Sequence, residues 1–237
     1  MSKNILLYAR KVVSYIKYHI LYYVKLYRKD PHTIQFHRWT RRRGDETLRL
    51  DYPLDSNSIV FDLGGYKGQW AKSIYDKYKC RVHIFEPVGK HYKDITGLFK
   101  DNPLVSVYNF GLLDENATME ICLDNDGSSL YGNSSDKERV AVKDVNDFVH
   151  DAGVLKIDLM KINIEGSEYR LLNRMIACNV IQRIVDLQVQ FHRCIESHEE
   201  ERLCIRSKLA ATHYLTYDFP FLWENWKRKV VDGLLTI

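Results

Sequence analysis

The chain of 237 residues, 45% hydrophobic and 28% charged, holds enough apolar material for one sizeable core and shows no internal repeat, which excludes a disordered tail or a repeat array. Five cysteines, at 80, 122, 178, 194 and 204, are odd in number and form no C-x-x-C pair, so neither a disulfide framework nor a structural zinc site is expected to organise the fold. The net charge of +4 hides an asymmetry: residues 1–50 carry 12 Lys/Arg against 3 Asp/Glu, a net +9, and the remainder carries 23 against 28, a net −5. A basic arm (1–50) thus precedes a mildly acidic body (51–237), a balance that argues against nucleic acid as partner, because phosphate binding needs a basic face on the fold itself.

In the arm, apolar residues at 5, 6, 12, 13, 16, 20, 24 and 27 fit a helical stripe. Arg10, Lys11, Lys17 and Lys25 break the roughly 18 continuous apolar residues that a spanning helix needs. No apolar run followed by a small-residue cleavage site is present, so no signal peptide is expected. The stripe suits either a helix docked on the body or a peripheral membrane contact through residues 1–29.

The body alternates short β-type runs with helical stretches, the pattern of a parallel sheet covered on both sides. Strands are predicted at Ile59–Leu63, Arg81–Phe85, Val105–Tyr108, Ile157–Ile164 and Ile184–Phe191. Helices are predicted at about 68–77, 89–100, 167–178 and 197–211, the last opened by a capping box of Ser197 and Glu200. Thr118–Leu123 and Arg139–Lys143, around a Gly/Ser/Asn-rich turn, read as an inserted hairpin followed by a short helix at 144–150. Tyr214–Phe219 and Val230–Ile237 are expected to close the sheet as an antiparallel pair.

The first strand runs into Asp62-Leu63-Gly64-Gly65-Tyr66-Lys67-Gly68, a turn whose glycines Gly64, Gly65 and Gly68 allow a sharp bend and a close backbone approach. Its spacing is G-G-x-x-G, not the G-x-G-x-x-G of dinucleotide binders. The acid before it repels a pyrophosphate and attracts a cationic ligand, which favours S-adenosylmethionine over NAD. The second strand ends at Phe85-Glu86-Pro87, where Glu86 can accept from both hydroxyls of a ribose. Two further strands carry polar residues at alternate positions, Lys161, Asn163 and Glu165 on one and Gln188, Gln190 and His192 on the next. Desolvating so many polar groups costs several kcal/mol unless they pair or line a wet pocket, so the two trios are read as one site, with a structural ion pair of Lys161 with Asp62 or Glu165 as the alternative.

These segments, with Gly127-Ser128-Ser129-Leu130 and above all Lys161-Ile162-Asn163-Ile164-Glu165-Gly166-Ser167-Glu168, resemble the FkbM-type S-adenosylmethionine-dependent methyltransferases over about residues 58–220. Asn163 stands where that family usually has Asp. The resemblance implies a class I methyltransferase fold: a Rossmann-like, doubly wound, mostly parallel sheet with an antiparallel C-terminal strand. It also implies methyl transfer, commonly to a hydroxyl oxygen, and an association with surface polysaccharides. His192, Glu165 and Lys161 are then the expected catalytic residues: His192 as general base, Glu165 as orienting group or base, and Lys161 holding Glu165 ionised or stabilising alkoxide charge. Asp62, Gly64, Gly65, Gly68, Glu86, Pro87 and Asn163 are expected to hold the cofactor, and Gln190, Gln188, Ser128 and Ser129 the acceptor. The acceptor is expected to be a sugar or glycan, on which Trp39, Trp70, Trp223 and Trp226 could stack, and no metal is expected. A cytoplasmic protein is expected, with the arm able to reach the inner face of the membrane. The alternatives are a methyltransferase for a non-carbohydrate small molecule and an NAD-linked oxidoreductase or epimerase. Against the latter, the chain lacks the three-glycine phosphate turn and a Tyr-x-x-x-Lys motif near the fourth strand.

Overall fold

A computed structural model describes residues 3–123, 128–129 and 136–230. The chain forms two compact units, Met1–Leu48 and Arg49–Ile237. In the first, α1 (Lys3–Tyr27) is followed by α2 (Pro31–Arg41). Asp30 starts α2 by accepting from the Thr33 N–H at 2.8 Å, and Pro31 occupies a position where its missing N–H costs nothing. None of the described helices is long and apolar enough to cross a membrane.

The second unit begins with β1 (Ile59–Leu63), α3 (Gln69–Tyr78), β2 (Arg81–Phe85), α4 (Gly89–Leu98) and β3 (Val105–Tyr108). An excursion follows, with β4 (Gly111–Leu113), β5 (Ala117–Leu123), β6 (Ser128–Ser129), β7 (Lys137–Asp144) and α5 (Val145–Asp151). The chain returns through β8 (Ile157–Ile162), α6 (Glu168–Ala177), β9 (Ile184–Val189), α7 (His198–Leu209), β10 (His213–Phe219) and β11 (Trp223–Arg228). The main sheet has the order β10-β11-β9-β8-β1-β2-β3, parallel except for β11, which runs against both neighbours. From β1 the chain winds outward to β3, then restarts at β8 on the other side of β1. That reversal opens a crevice at the carboxyl ends of β1 and β8, where doubly wound sheets take ligands.

Alternation along the strands divides the core. Phe61, Leu63, Phe85, Met160 and Ile162 face α5 and α6, while Val60, Val82, Ile84 and Leu159 face Ala71, Ile74 and Ile95 of α3 and α4. The expected hairpin is β5 with β7, and it is widened by β4 and β6 into a four-stranded sheet.

Four expectations need correction. The fourth strand stops at Ile162 and the fifth at Val189, each two residues short of the expected end, and after the fourth Glu165 (φ 50°) and Gly166 (φ 104°) turn the chain out of the sheet. No side-chain capping bond forms at Ser197, so the capping box is absent; instead His198 Nδ1 meets the Ile195 carbonyl at 2.7 Å. The expected strand at 230–237 falls, from 231 on, outside the described residues, and the strand that pairs antiparallel with β10 is Trp223–Arg228. Its charged sequence hid it. Glu224 is buried only because Arg202 and Arg206 neutralise it, and Asn225 because it donates to Asp186 at 3.0 Å and accepts from Tyr52 at 3.1 Å.

Candidate active site

The crevice holds a cleft with an empty volume of about 950 Å³, counting the part open to solvent. Its walls come from three segments: the β1 and β2 ends (Gly64, Tyr66, Glu86, Pro87), the excursion sheet (Leu112, Met119, Val140) and the turn after β8 (Asn163, Glu165).

The β1 turn is shaped by close packing. Gly64 has φ 78°, and a Cβ there would stand 2.0 Å from the Asn163 carbonyl oxygen; one on Gly65 would stand 2.4 Å from Ile84. These two glycines therefore let the turn seat between the ends of β8 and β2. The same turn presents the Tyr66 N–H, at φ 51°, to Glu86 Oε2 at 2.7 Å, while Glu86 Oε1 accepts from Val88 N at 2.9 Å. Each carboxylate oxygen keeps a further lone pair for a ligand hydroxyl. Glu86 is 4% exposed, and burial pushes its pKa up to about 7 against the opposing pull of the Val88 and Tyr66 N–H groups.

Asp62 and Lys161 are register partners on adjacent strands and form a buried ion pair, with Nζ 2.9 Å from Oδ1. Nζ also donates to the carbonyls of Gly64 at 2.7 Å and Leu63 at 3.4 Å, which uses all three ammonium donors. Lys161 thus ties down the β1 turn; it makes no direct bond to Glu165 and favours that group's ionised form only through its charge. Next in the row, Gln188 pairs with Lys161 in register, is fully buried, and gives its amide to Tyr52 at 2.7 Å and Arg49 O at 3.3 Å. With its amide committed there, Gln188 does not fit the acceptor-binding role. Gln190 is half-buried, and its backbone N–H donates to Ile162 O. Backbone pairing places Ser128 and Ser129 opposite Leu123 and Cys122, but their side chains, like Gly127 and Leu130, lie outside the described residues.

The two strand ends bring Glu165 and His192 together. His192 Nε2 lies 3.3 Å from Glu165 Oε2, and Nδ1 lies 3.1 Å from Glu168 Oε1. Glu168, fully buried in the first turn of α6, also accepts from His192 N at 2.6 Å and Gly166 N at 2.8 Å. Tyr169 donates its hydroxyl to the His192 carbonyl at 2.6 Å. An acceptor at Nδ1 puts the ring proton there and turns the Nε2 lone pair toward Glu165. Burial by itself would lower the His192 pKa, but the Glu168 hydrogen bond and the charges of Glu168 and Glu165 outweigh it and hold the value above 6.5. Burial also raises the pKa of Glu165. Sequence reasoning passed over Glu168; its signal was the second acid of the Lys161–Glu168 motif, three residues after Glu165.

The tryptophans do not line this cleft. Trp39, Trp223 and Trp226 are buried, and Trp70 donates to Arg49 O at 3.1 Å, so the expected stacking surface for a sugar ring is absent from the cleft walls.

Around the crevice three buried atoms have no hydrogen-bond partner among the described residues: His91 Nδ1 on the cleft wall, and Asp62 Oδ2 and Asn163 Oδ1 at the strand ends. The two oxygens are acceptors, which fits a cationic, N–H-bearing ligand lying beside Glu86 as ribose acceptor. The model of the methyltransferase FkbM domain matches residues 62–216. No curated protein matches the sequence. Among solved structures, a putative rRNA methylase from Clostridium thermocellum is similar at 10% identity, covering 81% of this chain and 96% of its own, with a TM-score of 0.48. The Methanococcus jannaschii fibrillarin pre-rRNA processing protein is similar at 12% identity, covering 75% and 69%, with a TM-score of 0.47. TrmK of M. capricolum, solved with S-adenosylhomocysteine, is similar at 12% identity, covering 74% and 64%, with a TM-score of 0.44. The chain has the class I methyltransferase fold, its cofactor is S-adenosylmethionine rather than NAD, and it belongs to the FkbM methyltransferase domain family.

Proposed function

We propose that this methyltransferase acts on a hydroxyl oxygen of a sugar or glycan in surface polysaccharide assembly, in the cytoplasm, with Glu165 and His192 as the proton-accepting pair. The observation that carries the reading is the Glu168–His192–Glu165 chain at the edge of the cofactor cleft. The cofactor, when bound, supplies a methyl group on a sulfonium. The protein must orient the acceptor oxygen and take its proton as the new bond forms. Glu165 faces the cleft and is the group an acceptor hydroxyl meets. His192, held from behind by Glu168, takes up the proton at Nε2. The carboxyl and the imidazole share one proton at low pH and act as a base once it has left, so they titrate as a unit.

Asp62, Asn163 and Glu86 are assigned to the cofactor, with Gly64, Gly65, Gly68 and Pro87 shaping the turns that carry them. Lys161 positions Asp62. Gln190 and the Ser128–Ser129 segment are assigned to the acceptor side. The sugar as acceptor class is supported by the family resemblance. The test is incubation with deuterated-methyl cofactor and a panel of nucleotide sugars, glycan fragments, non-carbohydrate alcohols and RNA, read by mass spectrometry. Label on a sugar oxygen supports the reading; label confined to RNA, to a nitrogen or to the non-carbohydrate alcohols overturns it.

Two pH effects follow. The rising limb of kcat/KM against pH is expected above 6.5, because Glu168 stabilises the imidazolium that must lose its proton. Glu168→Gln removes that charge and should move the limb to lower pH; an unmoved limb would separate Glu168 from the base. For the cofactor, affinity for S-adenosylhomocysteine should rise as pH passes through about 7, where Glu86 ionises and both its oxygens become acceptors. Glu86→Gln should weaken binding and flatten that dependence in titration calorimetry.

A further inference from the structure

The first unit carries a surface that methyl transfer does not use. Residues 1–29 contain seven Lys/Arg and no Asp or Glu. At 100° per residue, Val12, Val13, Ile16, Ile20, Tyr23 and Val24 of α1 fall in one arc of roughly 120°. All six are exposed, Val13, Ile20 and Tyr23 by more than 60%. Tyr27, on the same arc, is 90% exposed at the helix end. On the same wheel Lys17 lies at the border of the arc, and Lys11 and Lys25 lie across the helix from it, beside Leu7 and Tyr18. The contact with α2 is made across the helix from this arc: Tyr22 meets His37 Nδ1 at 2.7 Å and packs edge-on to Phe36. α1 is therefore a helix of about 37 Å with one apolar arc bare and lysines at the border of that arc and across from it.

We propose that α1 lies flat on an anionic lipid surface, its apolar arc sunk among the acyl chains and its lysines against the headgroups. Charge decides among occupants. A second copy would set lysine against lysine with no acid in the segment to compensate, and a coiled-coil partner takes a narrow seam flanked by opposite charges, which this helix lacks. An anionic bilayer satisfies both faces at once, because apolar burial and attraction of Lys/Arg to acidic headgroups add. The tyrosines, with an apolar ring and a polar tip, suit the headgroup level.

The test is flotation of the full chain with vesicles of phosphatidylcholine alone and with 30% phosphatidylglycerol. Binding is expected only to the anionic vesicles and should weaken as salt rises. Ile16→Glu/Ile20→Glu should reduce it at least ten-fold, and Lys11→Glu/Lys17→Glu should reduce it as well. S-adenosylhomocysteine affinity, set by the second unit, should be unchanged in both variants, which reports that the body is folded. Equal binding to both vesicle types, or binding that survives Ile16→Glu/Ile20→Glu, overturns the proposal. So does absence of vesicle binding, whether or not sedimentation shows a dimer that those substitutions dissociate.

Discussion

Replacing His192 by alanine is expected to lower kcat by about 10²-fold or more while leaving affinity for S-adenosylhomocysteine nearly unchanged. The two parts of this expectation come from different contacts. His192 meets the proposed acceptor side through Nε2 and Glu165, at 3.3 Å, and it is not among the residues that line the cofactor cleft. The substitution should leave the local fold standing. Glu168 keeps its bonds from the backbone N–H groups of residues 192 and 166, and only the imidazole bond at 3.1 Å is lost. Steady-state kinetics beside titration calorimetry would separate the effects. A kcat equal to that of the parent would remove His192 from proton transfer.

Lys161→Met should destabilise the protein by about 3–5 kcal/mol, the usual consequence of leaving one member of a buried ion pair without its partner. Asp62 is fully buried, and Lys161 is 4% exposed. The lost ammonium also frees the Gly64 and Leu63 carbonyls, which it anchors at 2.7 and 3.4 Å. Cofactor affinity should fall together with stability, since the turn that carries Asp62 loses its brace. Combining Lys161→Met with Asp62→Leu distinguishes the two roles. Removing both charges should recover part of the stability in urea unfolding, because an apolar pair of similar volume can replace a buried ion pair. It should not recover cofactor binding. A double variant that binds S-adenosylhomocysteine as tightly as the parent would place Asp62 outside the cofactor site.

Where periodicity is strong, the elements could be read from the chain. Ile59–Leu63, Arg81–Phe85 and Val105–Tyr108 run between residues identical to those expected, because β-branched and aromatic runs bounded by turn residues have few alternatives. Trp223–Arg228 was illegible for the opposite reason. Its strand character depends on Arg202, Arg206, Asp186 and Tyr52, residues distant in sequence that satisfy Glu224 and Asn225.

The site divides in the same way. Residue types and spacing were enough to favour a sulfonium cofactor over NAD and to single out Asp62 and Glu86 at successive strand ends, whereas the catalytic reading of Glu165 and His192 came with the family resemblance. Which polar groups share a cavity depended on where β8 and β9 stop. The positive φ of Glu165 and Gly166 accompanies Glu165 to the cleft wall, where it meets His192 from the end of the next strand, while Lys161 and Gln188 stay within the sheet, bound to Asp62 and Tyr52. Alternation along a strand fixes a side, but not the residue at which pairing ends; packing of the neighbouring turn and helix decides that, and with it the position of Glu168 behind the imidazole.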